Sequence, residues 1–185
     1  MLDVSRTSSL RILAQEEDLY CAVKTFCKDY IPDMVENCFK YSDKLVTLAA
    51  LFGVEKKLSE ALSSKVWLEN GGFLYIEPTQ AMTVIDVNSG KYDKKLISEE
   101  AYFQINISAA KEIARQIVLR NLSGIIIIDF INMKNKENNK KLLEFLGELF
   151  RNDLNSARII DITKLGLVEI TRKKTGKTIY EQILL

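Results

Sequence analysis

The chain has 185 residues, 47% of them hydrophobic and 28% charged, and its 26 basic and 25 acidic residues give a net charge of +1. This composition is typical of a globular protein with an apolar core, and it excludes disordered, fibrous and histone-like polycationic proteins. Histidine is absent, which excludes Ser-His-Asp triads, Cys-His dyads, imidazole general bases and histidine-ligated zinc.

The first third of the chain predicts a small α/β segment. Residues 10–14 are expected to form a strand, and residues 16–30 a helix with Leu19, Val23, Phe26 and Tyr30 at helical spacing. Pro32 marks the end of that helix. Residues 35–48 are ambiguous and partly extended, and residues 52–63 predict a second helix.

From residue 65 onward the pattern predicts the order β, β, β, α, β, α, β, β. A Glu-Asn-Gly-Gly sequence marks a hairpin between the first two strands, and four consecutive isoleucines predict a later strand buried on both faces. The expected fold is α/β, a mixed sheet with a βαβαβ core flanked by helices. The predicted elements are residues 65–68, 73–77, 82–88, 99–119, 125–130, 138–152, 158–163 and 167–171.

Two aspartates and an asparagine follow the apolar parts of two predicted strands. Asp86 and Asn88 alternate onto one face of the first strand, and Asp129 ends the isoleucine run of the second. If the strands are parallel neighbours, these oxygens meet at the edge where open α/β sheets bind ligands, and they suit Mg²⁺ or Mn²⁺. Strand-end capping is the alternative, and Asp161, in a similar Ile-Ile-Asp-Ile context, is either a third ligand or a solvated carboxylate.

The C-terminal part of the chain is locally basic. A basic cluster of this kind can neutralise a nucleic-acid backbone, although a solvated protein surface has the same composition. The five basic residues between positions 164 and 177 are Lys164, Arg172, Lys173, Lys174 and Lys177.

Four ordered sequence blocks closely resemble the ribonuclease E/G family. They are AMTVIDVNSG at 81–90, NISAAKEIARQ at 106–116 with LRNLSG at 119–124, GIIIIDFINM at 124–133, and KLGLVEITRKK at 164–174. The resemblance implies endonucleolytic cleavage of single-stranded RNA, with roles in RNA decay and ribosomal RNA processing. It also implies that Asp86 and Asp129 bind the catalytic Mg²⁺ and that Asn88 supports the site.

The same resemblance implies the subdomain organisation. Residues 1–64 would be part of an RNase H-like subdomain, and residues 65–185 would form a DNase I-like catalytic subdomain. The family's oligonucleotide-binding barrel, with its pocket for a 5′ monophosphate, and its CPxCxGxG zinc link between protomers have no counterpart in this sequence. We therefore expect a fragment of a longer enzyme that holds no zinc, and homo-oligomerisation only of the full-length protein.

Two functions follow as hypotheses. The first is the catalytic core of a metal-dependent endoribonuclease, in which Arg172, Lys173, Lys174, Lys164 and Arg120 contact RNA. Tyr92 and Phe130 are candidates for base stacking. The second is a non-catalytic RNA-binding or assembly fragment, while an aspartyl phosphotransfer domain fits the α/β pattern but not the four blocks.

The sequence also predicts a cytoplasmic protein. Three cysteines without a CxxC pair are typical of reduced thiols: Cys21, Cys27 and Cys38. The sequence has no run of 18 apolar residues, and its first residues lack the apolar core of a signal peptide, so we expect no membrane span.

Overall fold

The computed structural model of the chain describes residues 10–90 and 98–183. The chain divides into two compact units, Met1–Leu58 and Ser59–Leu185. The sequence predicts a subdomain boundary between residues 64 and 65, which is six residues after the division between Leu58 and Ser59. The RNase H-like and DNase I-like assignments of the two parts stay predictions.

The first unit is a small α/β arrangement around a two-stranded parallel sheet. Strand β1 (Ile12–Ala14) pairs in parallel with β2 (Cys38–Lys40), and helix α1 (Glu17–Tyr30) with a 3-10 helix (Pro32–Asn37) connects them. The predicted first strand and first helix are confirmed. A minor core forms around three side chains, Cys27, Met34 and Cys38.

Helix α1 does not bury the apolar residues that its spacing predicts for one face. Leu19 is 55% exposed, Phe26 53% and Tyr30 73%, whereas Cys27 is buried. The apolar residues do repeat at helical spacing, but most of them do not pack against a core formed by the described residues.

The predicted helix over residues 52–63 is confirmed, and a further short helix lies just before it. Helix α2 (Leu48–Leu51) ends before Gly53, and α3 (Val54–Leu62) begins after it. Gly53 has a φ of +59°, a left-handed conformation that interrupts a right-handed helix and that glycine adopts without strain.

The second unit contains the predicted series of strands and helices in the predicted order. No helix in the part of the chain that the structure describes is long and apolar enough to cross a membrane. The elements are β3 (Lys65–Trp67), β4 (Phe73–Pro78), β5 (Met82–Asn88), α4 (Glu99–Leu119), β6 (Gly124–Asp129), α5 (Lys136–Phe150), β7 (Arg158–Ile162), β8 (Val168–Arg172) and α6 (Ile179–Ile183).

The strands form one mixed sheet in the order β3-β4-β5-β6-β8-β7. Only the central pair, β5 and β6, is parallel, and every other neighbouring pair is antiparallel. The mixed α/β fold expected from the sequence is therefore confirmed, with its one parallel pair at the centre.

One face of the sheet packs against the helices and forms the core of this unit. Because strand side chains alternate, every second residue of the central strands points into this layer. Side chains of α4 and α5, such as Ile113 and Leu146, are fully buried against it. The sheet contributes Leu74, Ile76, Ile85, Val87, Ile126, Ile128, Val168 and Ile170.

The opposite face of the sheet is exposed to solvent, which makes the prediction for the isoleucine run wrong. Ile126 and Ile128 are fully buried, but Ile125 is 50% exposed and Ile127 is only half-buried. The run is β-branched on both faces although only one face is covered. We call the exposed side the open face, and it carries the candidate site.

Candidate active site

Two aspartates lie side by side where the parallel strands end. In the register of β5 and β6, Asp86 is the direct Cα partner of Asp129, and neighbouring strands run about 4.8 Å apart. Both residues alternate with buried core positions, so both side chains lie on the open face. The predicted placement on neighbouring parallel strands is therefore present, and we call these two carboxylates the acidic pair.

The acidic pair is electrostatically unfavourable by itself. Partial desolvation at the strand end raises the pKa of Asp129, and the negative charge of Asp86 raises the pKa further. Among the described residues, no lysine or arginine forms an ion pair with either carboxylate. A cation bound between the two would relieve this repulsion.

Asn88 orients one member of the acidic pair. Its Nδ2 atom donates a hydrogen bond to Oδ2 of Asp86 at 2.5 Å, and the two side chains lie on the same face because they are two residues apart on β5. This hydrogen bond restricts the rotation of the carboxylate, and no other described side chain donates to its second oxygen.

Contacts with neighbouring segments hold the backbone at both strand ends in place. A Cβ atom on Gly90 would lie 2.2 Å from the carbonyl oxygen of Gly71, so the turn between β3 and β4 packs directly on the segment after β5. After β6, the buried Asn106 side chain of α4 donates to the carbonyl of Ile131 and accepts from its amide. The family-like block that begins at Asn106 does not indicate this role, because the role depends on a tertiary contact.

Arg172, a predicted RNA contact, is buried in the unit instead. Its side chain is 3% exposed and donates from Nε and Nη2 to both carboxylate oxygens of Asp153, while Nη1 donates to Asn121 and to the carbonyl of Leu122. Arg172 also pairs with Gly124, at the opposite end of β6 from Asp129. The guanidinium is therefore a structural group, and the RNA-binding interpretation of this residue is wrong for this arrangement.

Arg120 is likewise buried rather than presented to a ligand. It is 0% exposed, and its guanidinium donates to Oε1 of Gln116 and to the hydroxyl of Tyr180. The prediction that Arg120 contacts RNA is therefore also wrong, because the side chain is buried. From sequence alone, an arginine that directly follows a helix is predicted to be exposed to solvent. Only the tertiary fold shows that Arg120 is buried.

The three predicted lysines are exposed but lie at different ends of the sheet. Lys164 occupies the turn between β7 and β8, at the same end as Asp129, because Val168 pairs with Ile128. Lys173 and Lys174 follow β8 at the other end, and Lys174 forms an ion pair with Glu181. Lys164 is thus the predicted basic residue that shares an end of the sheet with the acidic pair.

Asp161 does not join the acidic pair. It lies on β7, which β8 separates from β6, and its carboxylate accepts a hydrogen bond from the adjacent amide of Ile162. Within residues 10–90 and 98–183 there is no group of three or more acidic, histidine or cysteine side chains that could hold a metal ion. Any ion at the site would therefore have two carboxylate ligands from the described chain.

Four side chains next to the acidic pair were not expected from the sequence. Lys65, Trp67, Phe73 and Tyr75 share the open face on β3 and β4, and we call them the aromatic platform. In the sequence, these four residues occupy alternating positions on both sides of the Gly-Gly turn. Only the register of β4 with β5 shows that this face of the hairpin lies beside Asp86. Of the candidates expected to stack bases, Phe130 is buried and Tyr92 lies outside the described residues.

Comparison with known proteins identifies related chains. A sequence profile of the ribonuclease E/G family matches residues 1–175. Ribonuclease G of Escherichia coli is 38% identical over 169 residues, which cover 91% of this chain and 34% of the relative. Ribonuclease G of Haemophilus influenzae is 40% identical over 157 residues, covering 85% and 32%. Ribonuclease E of Nostoc sp. is 44% identical over 130 residues, covering 70% and 19%.

The chain spans about a third or less of the length of these curated relatives. The family match extends over both compact units and includes the acidic pair, Asn88 and the aromatic platform. On this match, and in agreement with the four sequence blocks, the chain belongs to the ribonuclease E/G family.

Proposed function

We propose that the chain carries the metal-binding catalytic residues of an endoribonuclease that hydrolyses single-stranded RNA. The observation that supports this most is the pairing of Asp86 with Asp129 in register on the open face of the sheet. The names of the relatives, ribonuclease E and ribonuclease G, support RNA as the substrate. The chain spans only part of those relatives, so we propose the ribonuclease activity for this chain by similarity to them.

The donor set of the acidic pair fits a hard divalent cation. Carboxylate oxygens are the ligands that Mg²⁺ and Mn²⁺ prefer, and Mg²⁺ commonly takes only one or two of them while water and substrate phosphate complete its shell. Asp86 and Asp129 provide that number. The raised pKa of Asp129 is consistent with the same assignment, because partial desolvation and then the negative charge of Asp86 disfavour an ionised carboxylate there, and a bound cation would offset both.

Each residue of the site would have a distinct role. Asp86 and Asp129 would hold the ion, and Asn88 would keep the Asp86 carboxylate in its binding orientation through the Nδ2 hydrogen bond. When bound, such an ion polarises a phosphodiester and lowers the pKa of an attacking water. Exposed Lys164, and more remotely Lys173 and Lys174, would attract the RNA backbone.

Mutation of the acidic pair separates catalysis from RNA binding. Asp86→Asn and Asp129→Asn keep the side-chain shape but each remove one ligand charge, so Mg²⁺-dependent cleavage of a single-stranded A/U-rich RNA should fall at least about a hundredfold. RNA affinity without metal should be unchanged or slightly higher, since each substitution removes a charge that repels phosphate. Cleavage and binding are measured on this chain and on its variants.

The matched control is Asp161→Asn, which removes an exposed aspartate from the same sheet and a similar sequence context. It should cleave like the parent protein. Wild-type cleavage rates in both acidic-pair variants would place the active site elsewhere. Salt-sensitive RNA binding by the parent chain without any metal-dependent cleavage would favour the alternative, a non-catalytic RNA-binding or assembly function.

A further inference from the structure

The aromatic platform has a fixed geometry. The ring of Phe73 stands edge-on to Trp67 and to Tyr75, with centroid separations of 5.3 and 5.5 Å. Lys65 Nζ lies 4.2 Å from the Trp67 ring centroid and 3.9 Å from that of Phe73, within the range of cation–π attraction. These contacts hold three rings and one positive charge together as a single surface.

The platform is not needed to fill the core. Val66 and Leu74, which alternate with the platform residues on β3 and β4, supply the core contacts of these strands. Trp67 is 60% exposed and Tyr75 is 37% exposed. Aromatic side chains held in place while exposing this much of their surface are typical of a binding surface.

The platform is continuous with the acidic pair. In the sheet register Tyr75 opposes Asp86 and Phe73 opposes Asn88, and Asp86 in turn pairs with Asp129. At about 4.8 Å per strand, the Tyr75 backbone lies about 10 Å from that of Asp129 on the same face. A ligand whose phosphate lies at the acidic pair would therefore extend over the platform within one or two nucleotides.

We propose that the aromatic platform stacks unpaired bases of RNA next to the phosphate held at the acidic pair, an inference that rests on the proposed function. Aromatic rings stack on any base, so this surface would select single strands without selecting a sequence. A duplex would not bind in this way, because its base faces are already stacked on one another. The Lys65 ammonium adds an attraction for phosphate beside two carboxylates that repel it.

The first test uses the intrinsic fluorescence of Trp67, because the chain contains one tryptophan. Single-stranded RNA is titrated into the chain in EDTA, so that neither metal binding nor cleavage contributes. We expect saturable quenching by an A/U-rich oligomer. An abasic oligomer of the same length and a blunt duplex should give little quenching. Equal quenching by the abasic oligomer would show that backbone charge alone is responsible, and it would overturn the proposal.

Substitutions test the same contact without relying on one side chain. Tyr75→Ala retains the fluorescent reporter, and Trp67→Ala is followed by the anisotropy of a labelled RNA. Each should weaken binding of the single-stranded oligomer by about tenfold and leave binding of the abasic oligomer unchanged. The control is Ile125→Ala, which truncates another exposed apolar side chain of the open face and should not alter affinity.

Two outcomes would contradict base stacking while leaving the proposed catalytic function intact. One is metal-dependent cleavage by the parent protein with no quenching of Trp67 by any RNA. The other is burial of Trp67 that increases with protein concentration in the absence of RNA, which would make the platform a protein–protein contact. Conversely, base-specific quenching without cleavage would support the platform and count against the catalytic proposal.

Discussion

Arg172 is the residue whose predicted role changes most in the structure. It belongs to a basic run that is consistent with RNA binding, yet its side chain and that of Asp153 are only 3% and 5% exposed and share two hydrogen bonds. Burial disfavours ionisation of Asp153, but bonds from Arg172 and the amide of Ala157 outweigh it and lower the pKa of that carboxyl below its ordinary value. The ion pair therefore joins the end of β8 to the segment after α5.

Arg172→Ala should consequently affect stability rather than RNA contacts. Removing one partner leaves a buried charge uncompensated, so we expect the free energy of unfolding to fall by about 3–5 kcal/mol in urea titrations at neutral pH. Lys173→Ala, at the adjacent exposed position, should stay within about 0.5 kcal/mol of the parent. Weaker RNA binding by Arg172→Ala at unchanged stability would restore the RNA-binding interpretation.

The same pair predicts a pH dependence with a defined sign. Because the pKa of Asp153 is lowered in the folded state, its stabilising contribution is complete above the unfolded-state pKa of about 3.9 and is lost as the pH falls through the folded-state value. The stability difference between the parent and Arg172→Ala should therefore shrink below about pH 4. If this stability difference stayed the same at acid pH, the Arg172–Asp153 ion pair would not be the source of the stability lost in Arg172→Ala.

At the scale of elements, the strands and helices of the second unit were largely predictable, and the faces of the sheet were not. The bounds predicted for β5 and α4 match the structure, because their alternating and helical patterns are long. The isoleucine run of β6 conceals which side is exposed, since Ile125 and Ile127 have the same side chain as buried Ile126 and Ile128. Sequence periodicity carries no signal where both faces have the same residue.

The site was predictable to a similar extent. Alternation placed Asp86 and Asn88 on one face, and the β-strand order brought Asp129 beside them. The aromatic platform needed the antiparallel register of β3, β4 and β5, and Asn106 needed the packing of α4 against the segment after β6. Both depend on contacts between residues distant in sequence, which local patterns do not encode.

The turn after β5 makes a prediction at this scale. Gly90 has a φ of +69°, and a Cβ atom there would lie 2.2 Å from the Gly71 carbonyl oxygen. Gly90→Ala should lower the free energy of unfolding by about 1–3 kcal/mol and displace the end of β5 that carries Asn88. Gly147→Ala is the matched control, because a Cβ atom there, in α5, meets nothing within 4 Å.

Thermal or urea unfolding compares the two glycine variants directly. Gly147→Ala should be neutral or more stable by up to about 1 kcal/mol, since alanine favours a helix interior over glycine. Equal stabilities of the two variants would mean that the β3–β4 turn can move away from Gly90. In that case the contact with Gly71 would not fix the end of β5.

At the scale of the whole second unit, the sheet separates the apolar core from the proposed binding surface. The helix-covered face contains the core and the buried Arg172 and Arg120 side chains, whereas the open face contains the acidic pair and the aromatic platform. Substitutions on the open face should therefore change ligand binding more than they change folding. That separation makes the acidic pair accessible to a direct binding measurement.

The most direct test is a titration of the chain with Mn²⁺, monitored by electron paramagnetic resonance, because it reports metal binding even where cleavage is slow. The parent chain and Asp161→Asn should bind one ion that Mg²⁺ displaces, and Asp86→Asn and Asp129→Asn should each bind at least about tenfold more weakly. Equal Mn²⁺ affinity in the parent and both acidic-pair variants would contradict the central claim that these two carboxylates together hold the metal.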